Sequence, residues 1–243
     1  MCGRYLLLSP AEAMRRLFGL VGPVPNFPAR FNVAPTDIMP VVRRAGAGHL
    51  EMVMLRWGLV PSWASDLSIG ARTINARRES VATKPAFRDS FQRRRCIVPA
   101  DGYYEWKEID GVRQAYVIRP PDGELFSFAG VWESWVRPKE VSQGSPRDIG
   151  PAGEIVETYS IITGPALPSV ANTHDRMPVV LAPSAFDPWL APDTPAAALD
   201  DLMNPDHVEA TVTPVGPRVN SVKNDDPHCL DPVEPKPRQA SLF

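Results

Sequence analysis

Short runs of β-branched and aromatic residues, each bounded by Gly, Pro or Asp, dominate the pattern of apolar and polar positions along the chain. Runs of this length and composition are typical of strands. They predict strands at Glu51 to Val60, Gln114 to Ile118, Glu124 to Trp132 and Glu157 to Thr163. Asp110-Gly111 comes just before the second of these runs and suits the positive φ angles of a tight turn, so we expect a hairpin there.

Helix signals are fewer and lie near the two ends of the chain. Ser9-Pro10-Ala11-Glu12 predicts a helix start, with Ser9 as the cap, Pro10 in the first helical position and Glu12 returning a hydrogen bond. Gly19 is a natural stop for this helix. Late in the chain, Thr194-Pro195 before AAALDDLM predicts a second helix, and FDPWL indicates a shorter one.

Proline and glycine mark the irregular parts. The stretch from Gly22 to Pro40 is expected to run extended over the surface without regular structure. Residues 137–153 predict a flexible surface loop, and residues 231–243 a proline-rich tail that follows one domain over residues 1–230. The order of elements favours an α+β fold with a mixed, mainly antiparallel, barrel-like β-sheet core and flanking short helices.

Composition excludes several classes of protein. The 243 residues are 44% hydrophobic, but no run approaches the roughly 18 apolar residues of a membrane span, and the start lacks the features of a signal peptide. We therefore expect a soluble, intracellular protein. Cys2, Cys96 and Cys229 are odd in number, widely spaced and not clustered with the four histidines, so we expect neither a disulfide framework nor a zinc site.

The net charge of −2 hides an uneven distribution. Between Arg72 and Arg95 there are eight basic residues against two acidic ones, whereas acidic residues predominate from Ala182 onward. A basic face balanced by an acidic C-terminal part is thus predicted, and such a face suits a polyanion.

The chain begins MCGRY, which places Cys2 directly behind the initiator methionine. If Met1 is removed, Cys2 carries an α-amine with a reference pKa of about 7.7 to 8.0 beside a thiol of about 8.5, so both have accessible nucleophilic forms. The pair can condense with an aldehyde to a Schiff base and then a thiazolidine, or it can act as an N-terminal nucleophile on amides. Class II glutamine amidotransferases also begin Met-Cys-Gly, and a cysteine in second place can be incidental.

Three further residues could carry chemistry. Glu105 lies between Tyr104 and Trp106, where exclusion of water would raise the pKa of its carboxyl, although a solvent-facing glutamate on a half-buried strand fits the same pattern. His174 precedes an apolar run in THDRMPVVL and by itself is as consistent with a structural role. Asn75, beside the basic run, can donate and accept hydrogen bonds, as can any surface or capping asparagine.

Taken together, the motifs MCGRY, FNVAPT, LRWGLVPSWA, TINARRES, FQRRRCIVPADGYYEW and THDRMPVVL resemble, in order, those of the SOS response-associated peptidase family. The resemblance spans the chain from Cys2 to about Asn220. It weakens the amidotransferase interpretation, which rests on three residues alone.

The resemblance implies a sensor that shields abasic sites in single-stranded DNA by covalent attachment. On this view the Cys2 amine attacks the ring-opened deoxyribose aldehyde and the thiol closes a thiazolidine. Asn75 holds the N-terminal residue, Glu105 shuttles protons, and His174 assists sugar ring opening and reversal. Schiff-base chemistry of this kind also allows a lyase outcome, and the family name suggests removal of the protein's own methionine. No cofactor or metal is implied, and a monomer in the bacterial cytoplasm, at the nucleoid when bound to DNA, is expected.

Single-stranded DNA is bound by a positive groove with aromatic platforms for bases. The resemblance and the basic run together give these candidate DNA-binding residues: Arg4, Pro40, Trp63, Arg72, Arg77, Arg78, Arg88, Trp106 and Arg176. Pro40 and Trp63 are the candidates for stacking on an exposed base. Some of the arginines would instead serve in ion pairs or on a solvated face. Two alternatives remain for the whole protein, a thiol hydrolase or autopeptidase and a noncovalent single-strand binder.

Overall fold

The computed structural model describes residues 2–46, 48–120, 124–138, 151–204 and 208–234. The strands are β1 Arg4–Leu7, β2 Arg30–Val33, β3 Ile38–Arg44, β4 Leu50–Trp57, β5 Asn75–Arg77, β6 Arg95–Ala100, β7 Gly102–Ile109, β8 Val112–Arg119, β9 Phe126–Val136, β10 Ile155–Pro165, β11 Arg176–Pro178 and β12 Thr211–Val215. The helices are α1 Ala11–Phe18, α2 Arg78–Val81, α3 Arg88–Arg93, α4 Pro168–Ala171, α5 Phe186–Leu190 and α6 Ala196–Leu202. Short 3-10 turns cover Leu67–Arg72, Pro183–Ala185, Pro217–Asn220 and Pro227–Leu230.

Five strands close into a barrel in the order β10, β4, β3, β6, β9 and back to β10. Every pair in this ring is antiparallel except β4 with β10, where Thr158 lies beside Arg56. The long strand β10 also pairs with the short strands β5 and β11 beyond the barrel. The predicted α+β fold with a mainly antiparallel, barrel-like core and short helices is therefore confirmed.

A second sheet, in the order β12, β8, β7, β1, β2, is antiparallel throughout, and β1 and the start of β7 carry buried side chains on both faces. Alternation along β1 and β7 sends Tyr5 and Tyr103 into the core shared with the barrel, whereas Leu6 and Tyr104 face the opposite way. That opposite face is covered by the chain around Val219 and Leu230. Side chains on one face of β1 and β7 therefore pack in the core shared with the barrel, and those on the other face pack in a separate apolar cluster.

The predicted strands are all present, with bounds shifted by a few residues at several ends. The hairpin is confirmed, since Asp110 and Gly111 have φ angles of 50° and 75°. The expectation that residues 22–40 lack regular structure is wrong in part, because β2 and the start of β3 lie there. The short runs of residues between the prolines do not show the alternation of apolar and polar positions that predicts a strand. Pairing of β2 with β1 and of β3 with β4 stabilises the extended conformation there.

The first helix ends at Gly19 as predicted, but it begins one residue later than predicted, at Ala11, and without the predicted cap. Ser9 donates its hydroxyl hydrogen bond to Asp101, and Pro10 occupies the cap position without a side-chain bond. Gly19 ends the helix in the left-handed conformation, as expected. Both late helices are present as α5 and α6.

Arg137, the first residue of the predicted flexible surface loop, is buried and pairs with Glu154, so the prediction is wrong at this residue. The central part of that prediction, residues 139–150, lies outside the described residues, as does the tail beyond Glu234. The described helices include none that is long and apolar enough to cross a membrane.

A close approach of two glycines fixes the loop between β4 and β5. Gly58 has a φ of +114°, and a Cβ built on it would lie 2.6 Å from the carbonyl oxygen of Gly70. We expect Gly58→Ala to destabilise the protein by about 2–4 kcal/mol, because both the backbone angle and the contact would have to change. A thermal melt should show a fall in Tm of about 5–15 °C. Gly46→Ala, whose Cβ would meet nothing within 4 Å, is the matched control, and equal melting of the two variants would contradict this view of the loop.

Candidate active site

Cys2 lies two residues before the start of β1 and is fully buried. It belongs to the main hydrophobic core with Tyr5 and Tyr103, and its Sγ donates to the backbone oxygen of Arg4 over 3.7 Å. Burial raises the pKa of the Cys2 thiol, and the charge of Glu105 raises it further. The thiol is therefore held in its neutral form at neutral pH.

Asn75 fixes the backbone of the residue that carries this thiol. Its Nδ2 donates a hydrogen bond of 2.6 Å to the carbonyl oxygen of Cys2. Asn75 is the first residue of β5 and pairs with Ile161 of β10, while the indole of Trp57 donates to the carbonyl oxygen of the preceding Ile74 over 2.9 Å. Because strand pairing and the Trp57 bond both anchor this segment to the barrel, the amide of Asn75 has a defined position against Cys2.

Glu105 lies in β7, on the face of the sheet that packs against the barrel. Alternation places Tyr103 on the same face and Trp106 on the other. Glu105 is only 3% exposed. Burial raises the pKa of its carboxyl above the ordinary value of 4.5, although the charge of His174 opposes part of this shift. The carboxyl thus keeps its proton to higher pH than an exposed glutamate, which suits an acid that must also act as a base.

His174 precedes β11 and is partly exposed. Its Nδ1 accepts a hydrogen bond of 3.0 Å from the backbone N–H of Arg176. With Nδ1 acting as acceptor, the neutral ring carries its proton on Nε2. The carboxylate of Asp175 lies 2.9 Å from the same Nδ1 and would stabilise a charged ring. The histidine can therefore both give and take a proton.

These groups meet at a cavity of about 460 Å³. The residues that line it are Gly3, Arg4, Glu105, Trp106, Arg113, His174 and Asn220. Glu105 and His174 thus share one opening with the backbone next to Cys2, while Cys2 itself is buried and Asn75 contacts its carbonyl group. The tertiary structure brings the four residues predicted as catalytic into one neighbourhood, although they are far apart along the chain.

Trp106 is the aromatic residue in the lining of this cavity, and its side chain is contacted by three other residues of the lining. Its Nε1 donates to Oδ1 of Asn220 over 2.7 Å. The guanidinium groups of Arg4 and Arg113 lie 5.9 and 5.1 Å from the ring centre. Arg4 is fixed in turn by its hydrogen bonds to the side chain of Asn32 and the backbone of Val219. An aromatic ring with two guanidinium groups close by combines a possible stacking surface for a base with groups that bind phosphate.

Other predicted DNA-binding residues lie at the surface away from this cavity lining. Trp63 is 62% exposed in the loop that follows β4. Arg72 and Arg77 are exposed, and within the described part of the chain neither makes an ion pair. Arg88 is exposed and pairs with its neighbour Asp89. Because these side chains are accessible, they remain candidates for contacts with phosphates and bases.

Three of the predicted DNA-binding residues are used inside the protein. Pro40 is buried in β3 opposite Met54, so it cannot stack on an exposed base. Arg78 bonds to Asp200, Met203 and Asn204 and ties α2 to the end of α6. Arg176 forms two hydrogen bonds of 2.9 Å to the carboxylate of Glu79 and a third to a backbone oxygen. All three residues were predicted from the sequence to contact DNA, and these predictions could not take into account the residues that contact them in the folded protein.

Sequence reasoning missed Arg113 and Asn220. The signal for Arg113 was present, since the predicted hairpin turn at Asp110-Gly111 sets it opposite Glu108 and on the same face as Trp106. Asn220 carries no comparable signal, because it reaches Trp106 only when the 3-10 turn at Pro217–Asn220 packs on the sheet.

All three cysteines are free and buried. Within residues 2–46, 48–120, 124–138, 151–204 and 208–234, no three side chains of His, Cys, Asp or Glu are grouped so as to hold a metal ion.

Comparison with known proteins identifies relatives over nearly the whole chain. The sequence model of the SOS response associated peptidase (SRAP) family matches residues 1–222. The abasic site processing proteins YoaM and YoqW of Bacillus subtilis are 36% and 34% identical over 236 residues, covering 95% of this chain and 98% and 99% of theirs. A crystal structure of a protein from Bacteroides thetaiotaomicron is similar with a TM-score of 0.81 at 25% identity, over 96% of this chain and 100% of that one.

Proposed function

The chain belongs to the SOS response-associated peptidase family, and we propose that it senses abasic sites in single-stranded DNA and shields them through a covalent bond from Cys2. The names of the Bacillus relatives support an abasic-site processing role. The observation that carries the proposal is that Asn75 binds the carbonyl group of Cys2 beside a cavity lined by Gly3, Glu105 and His174. This arrangement holds the N-terminal residue next to two groups that can transfer protons.

The reaction begins at nitrogen, after hydrolytic removal of Met1 has freed the Cys2 amine. The amine adds to C1′ of the ring-opened sugar and gives a carbinolamine. Protonated Glu105 then gives its proton to the carbinolamine hydroxyl group, water leaves, and an iminium ion remains beside the Glu105 carboxylate. The raised pKa of this carboxyl favours the protonated form that the step requires.

The thiol acts second. Its sulfur bonds to C1′, the iminium electron pair returns to nitrogen, and the thiol proton passes to the Glu105 carboxylate, which restores the starting acid. No electrons are gained or lost, and the product is a five-membered thiazolidine. A buried, neutral thiol suits this order, because it is a weak nucleophile and the iminium carbon is a stronger electrophile than the aldehyde.

His174 would act before the amine does, since an abasic sugar is mainly a closed hemiacetal. Opening the ring requires a proton on the ring oxygen and loss of a proton from the hydroxyl group on C1′. Protonated on both ring nitrogens, His174 can give its Nε2 proton to the ring oxygen and become neutral, while water takes the proton from the C1′ hydroxyl group. The place of His174 in the same cavity as Glu105 supports this role. The same transfer in reverse would help release the DNA.

The DNA strand would pass the cavity with its phosphates on arginines and its bases on aromatic rings. Trp106, with the guanidinium groups of Arg4 and Arg113 close to its ring, supports a contact next to the abasic site. Exposed Trp63 and Arg77 offer a further base platform and a further phosphate contact. Such contacts carry little sequence information, as befits a sensor of damage in any sequence.

The two neighbouring arginines of β5 and α2 give a matched test of the DNA path. Arg77→Ala should weaken binding to a single-stranded oligonucleotide about 3–10-fold and reduce the slope of log affinity against log salt by about 0.7, because one phosphate contact is lost. Arg78→Ala should leave that slope unchanged and lower Tm instead, since Arg78 bonds to α6. Fluorescence anisotropy at several salt concentrations measures the slope. An unchanged slope for Arg77→Ala would remove this residue from the proposed path.

The proposed function is tested by mixing the protein with a single-stranded oligonucleotide that carries one abasic site and measuring intact mass. An adduct of protein without Met1 plus DNA minus one water is expected. The matched control is the same oligonucleotide after borohydride has reduced its aldehyde to an alcohol. Adduct with both oligonucleotides, or with neither, would contradict aldehyde trapping. Amide hydrolysis without DNA would favour the thiol hydrolase, although a buried neutral thiol is poorly suited to that chemistry.

A further inference from the structure

The motif FNVAPT contains a buried asparagine, Asn32, that has no part in the proposed reaction. Asn32 lies in β2, the last strand of the second sheet, and is 1% exposed. Its Oδ1 accepts a hydrogen bond of 2.8 Å from Nη1 of Arg4. Its Nδ2 donates toward the carbonyl oxygens of Val219, Ser221 and Asn224, which lie at 3.2, 3.0 and 2.8 Å. The amide of Asn32 therefore joins an arginine of the active-site cavity to a segment 187 to 192 residues further along the chain.

That segment, residues 217–225, is called the C-terminal strap below. A second set of bonds connects the strap to β2. The carboxylate of Asp225 accepts hydrogen bonds from the backbone N–H groups of Phe31 and Asn32 over 2.6 and 2.9 Å, and it also pairs with the side chain of Arg30. Backbone donors at the edge of a sheet have no neighbouring strand to bond with, and Asp225 satisfies two of them. The strap is therefore bound to β2 through backbone and side-chain groups together.

The strap also reaches the active-site cavity. Nε1 of Trp106 donates to Oδ1 of Asn220, a residue of the strap, over 2.7 Å. The carbonyl oxygen of the adjacent Val219 accepts from Nδ2 of Asn32 and from Nη1 of Arg4, over 3.2 and 3.0 Å. The Arg4 guanidinium group in turn lies 5.9 Å from the centre of the Trp106 ring. Two of the groups beside this ring, Arg4 and Asn220, are thus held through Asn32.

We propose that Asn32 is a positioning residue for DNA binding, which holds the C-terminal strap and Arg4 where they fix the Trp106 ring as a platform for a base. This inference rests on the proposed function, because the base belongs to the single strand beside the abasic site. Asparagine suits the position, since its amide presents an acceptor to the guanidinium group and donors to the carbonyl oxygens at the same time. The ring is then fixed before DNA arrives, so that binding does not have to order it.

The free protein tests the link between Asn32 and the strap by hydrogen-exchange mass spectrometry. Asn32→Asp keeps the acceptor for Arg4 but loses the amide donors. The peptide covering residues 217–225 should therefore exchange at least about tenfold faster than in the wild type. Asn32→Ser, whose hydroxyl group can donate to only one carbonyl oxygen, should give a smaller effect of the same kind. Unchanged exchange of this peptide in both variants would overturn the proposal.

The position of the ring is measured by acrylamide quenching of the Trp106 emission, taken as the difference between each protein and its Trp106→Phe counterpart. Quenching should increase in Asn32→Asp and in Asn220→Ala. Ser90→Ala, which removes a buried hydroxyl group bonded to Glu133, is the control for a general loss of stability. It should lower Tm and leave both the quenching and the exchange of the strap unchanged. Equal quenching in Asn32→Asp and wild type would show that Asn32 does not position the ring.

DNA affinity is measured with an abasic single strand reduced by borohydride, so that no adduct forms. Asn32→Asp should weaken binding about 5–10-fold, because stacking of a base on Trp106 is disturbed. Asn220→Ala should have a similar effect, and the double variant should bind no more weakly than the weaker single variant, since both act through Trp106. Additive losses would overturn the proposal. Failure of the proposed function would appear separately, as wild-type protein that forms no adduct with the unreduced strand, while exchange and quenching, measured without DNA, decide whether Asn32 positions Trp106.

Discussion

Cys2→Ala protein is expected to form no heat-stable adduct with abasic single-stranded DNA, whereas the wild-type protein converts to adduct. Alanine keeps the α-amine after removal of Met1 but has no sulfur to close the ring. The imine then remains hydrolysable, and in part of the molecules it should proceed to strand cleavage. Intact mass measured after heating reports the adduct, and denaturing electrophoresis of the oligonucleotide reports the cleavage.

Chemical trapping separates the amine from the thiol. Borohydride should fix the Cys2→Ala imine as a reduced amine adduct, which shows that the amine still reaches C1′. Cys2→Ser should behave in the same way, because a hydroxyl group is a far weaker nucleophile than a thiol. Cys229→Ala, which removes a buried thiol from the other side of the second sheet, is the control and should crosslink normally. A heat-stable adduct from Cys2→Ala would exclude the thiazolidine.

Glu105→Gln is expected to slow adduct formation about 100-fold while DNA affinity stays within about twofold of wild type. Glutamine has nearly the same shape but can neither give a proton to the leaving hydroxyl group nor take one from the thiol. Single-turnover rates with excess protein, measured beside anisotropy titrations, separate the two effects. Equal losses in rate and affinity would mean that Glu105 supports DNA binding and does not transfer protons.

The same variant has a distinctive effect on stability. A carboxyl whose pKa is raised in the folded state contributes stability that is fully present below its unfolded value of 4.5 and is lost as the pH rises through the folded value. Glu105→Gln avoids that loss. Its Tm should therefore exceed that of the wild type at about pH 7.5 and approach it near pH 4. Destabilisation at both pH values would show that the carboxylate is held by favourable contacts.

Much of the fold was predictable because its signals are local. The hairpin of β7 and β8 rests on Asp110-Gly111, whose conformational preference acts within the turn itself. The end of α1 at Gly19 and the late helices rest on similar short-range preferences. The cap at Ser9 failed for the opposite reason, since a buried carboxylate from Asp101, distant in sequence, competes for the hydroxyl group.

For the candidate active site, too, some residues could be predicted from the sequence and others could not. The sequence by itself pointed to Cys2, Asn75, Glu105 and His174 as candidates and to a barrel-like core, because residue type and ordered motifs are properties of the chain. Only the tertiary structure decided that Arg78 and Arg176 serve internal bonds while Arg113 and Asn220 lie beside Trp106. Burial and pairing with distant residues determine whether a charge is available, and both arise only when the barrel and the second sheet close around the start of the chain.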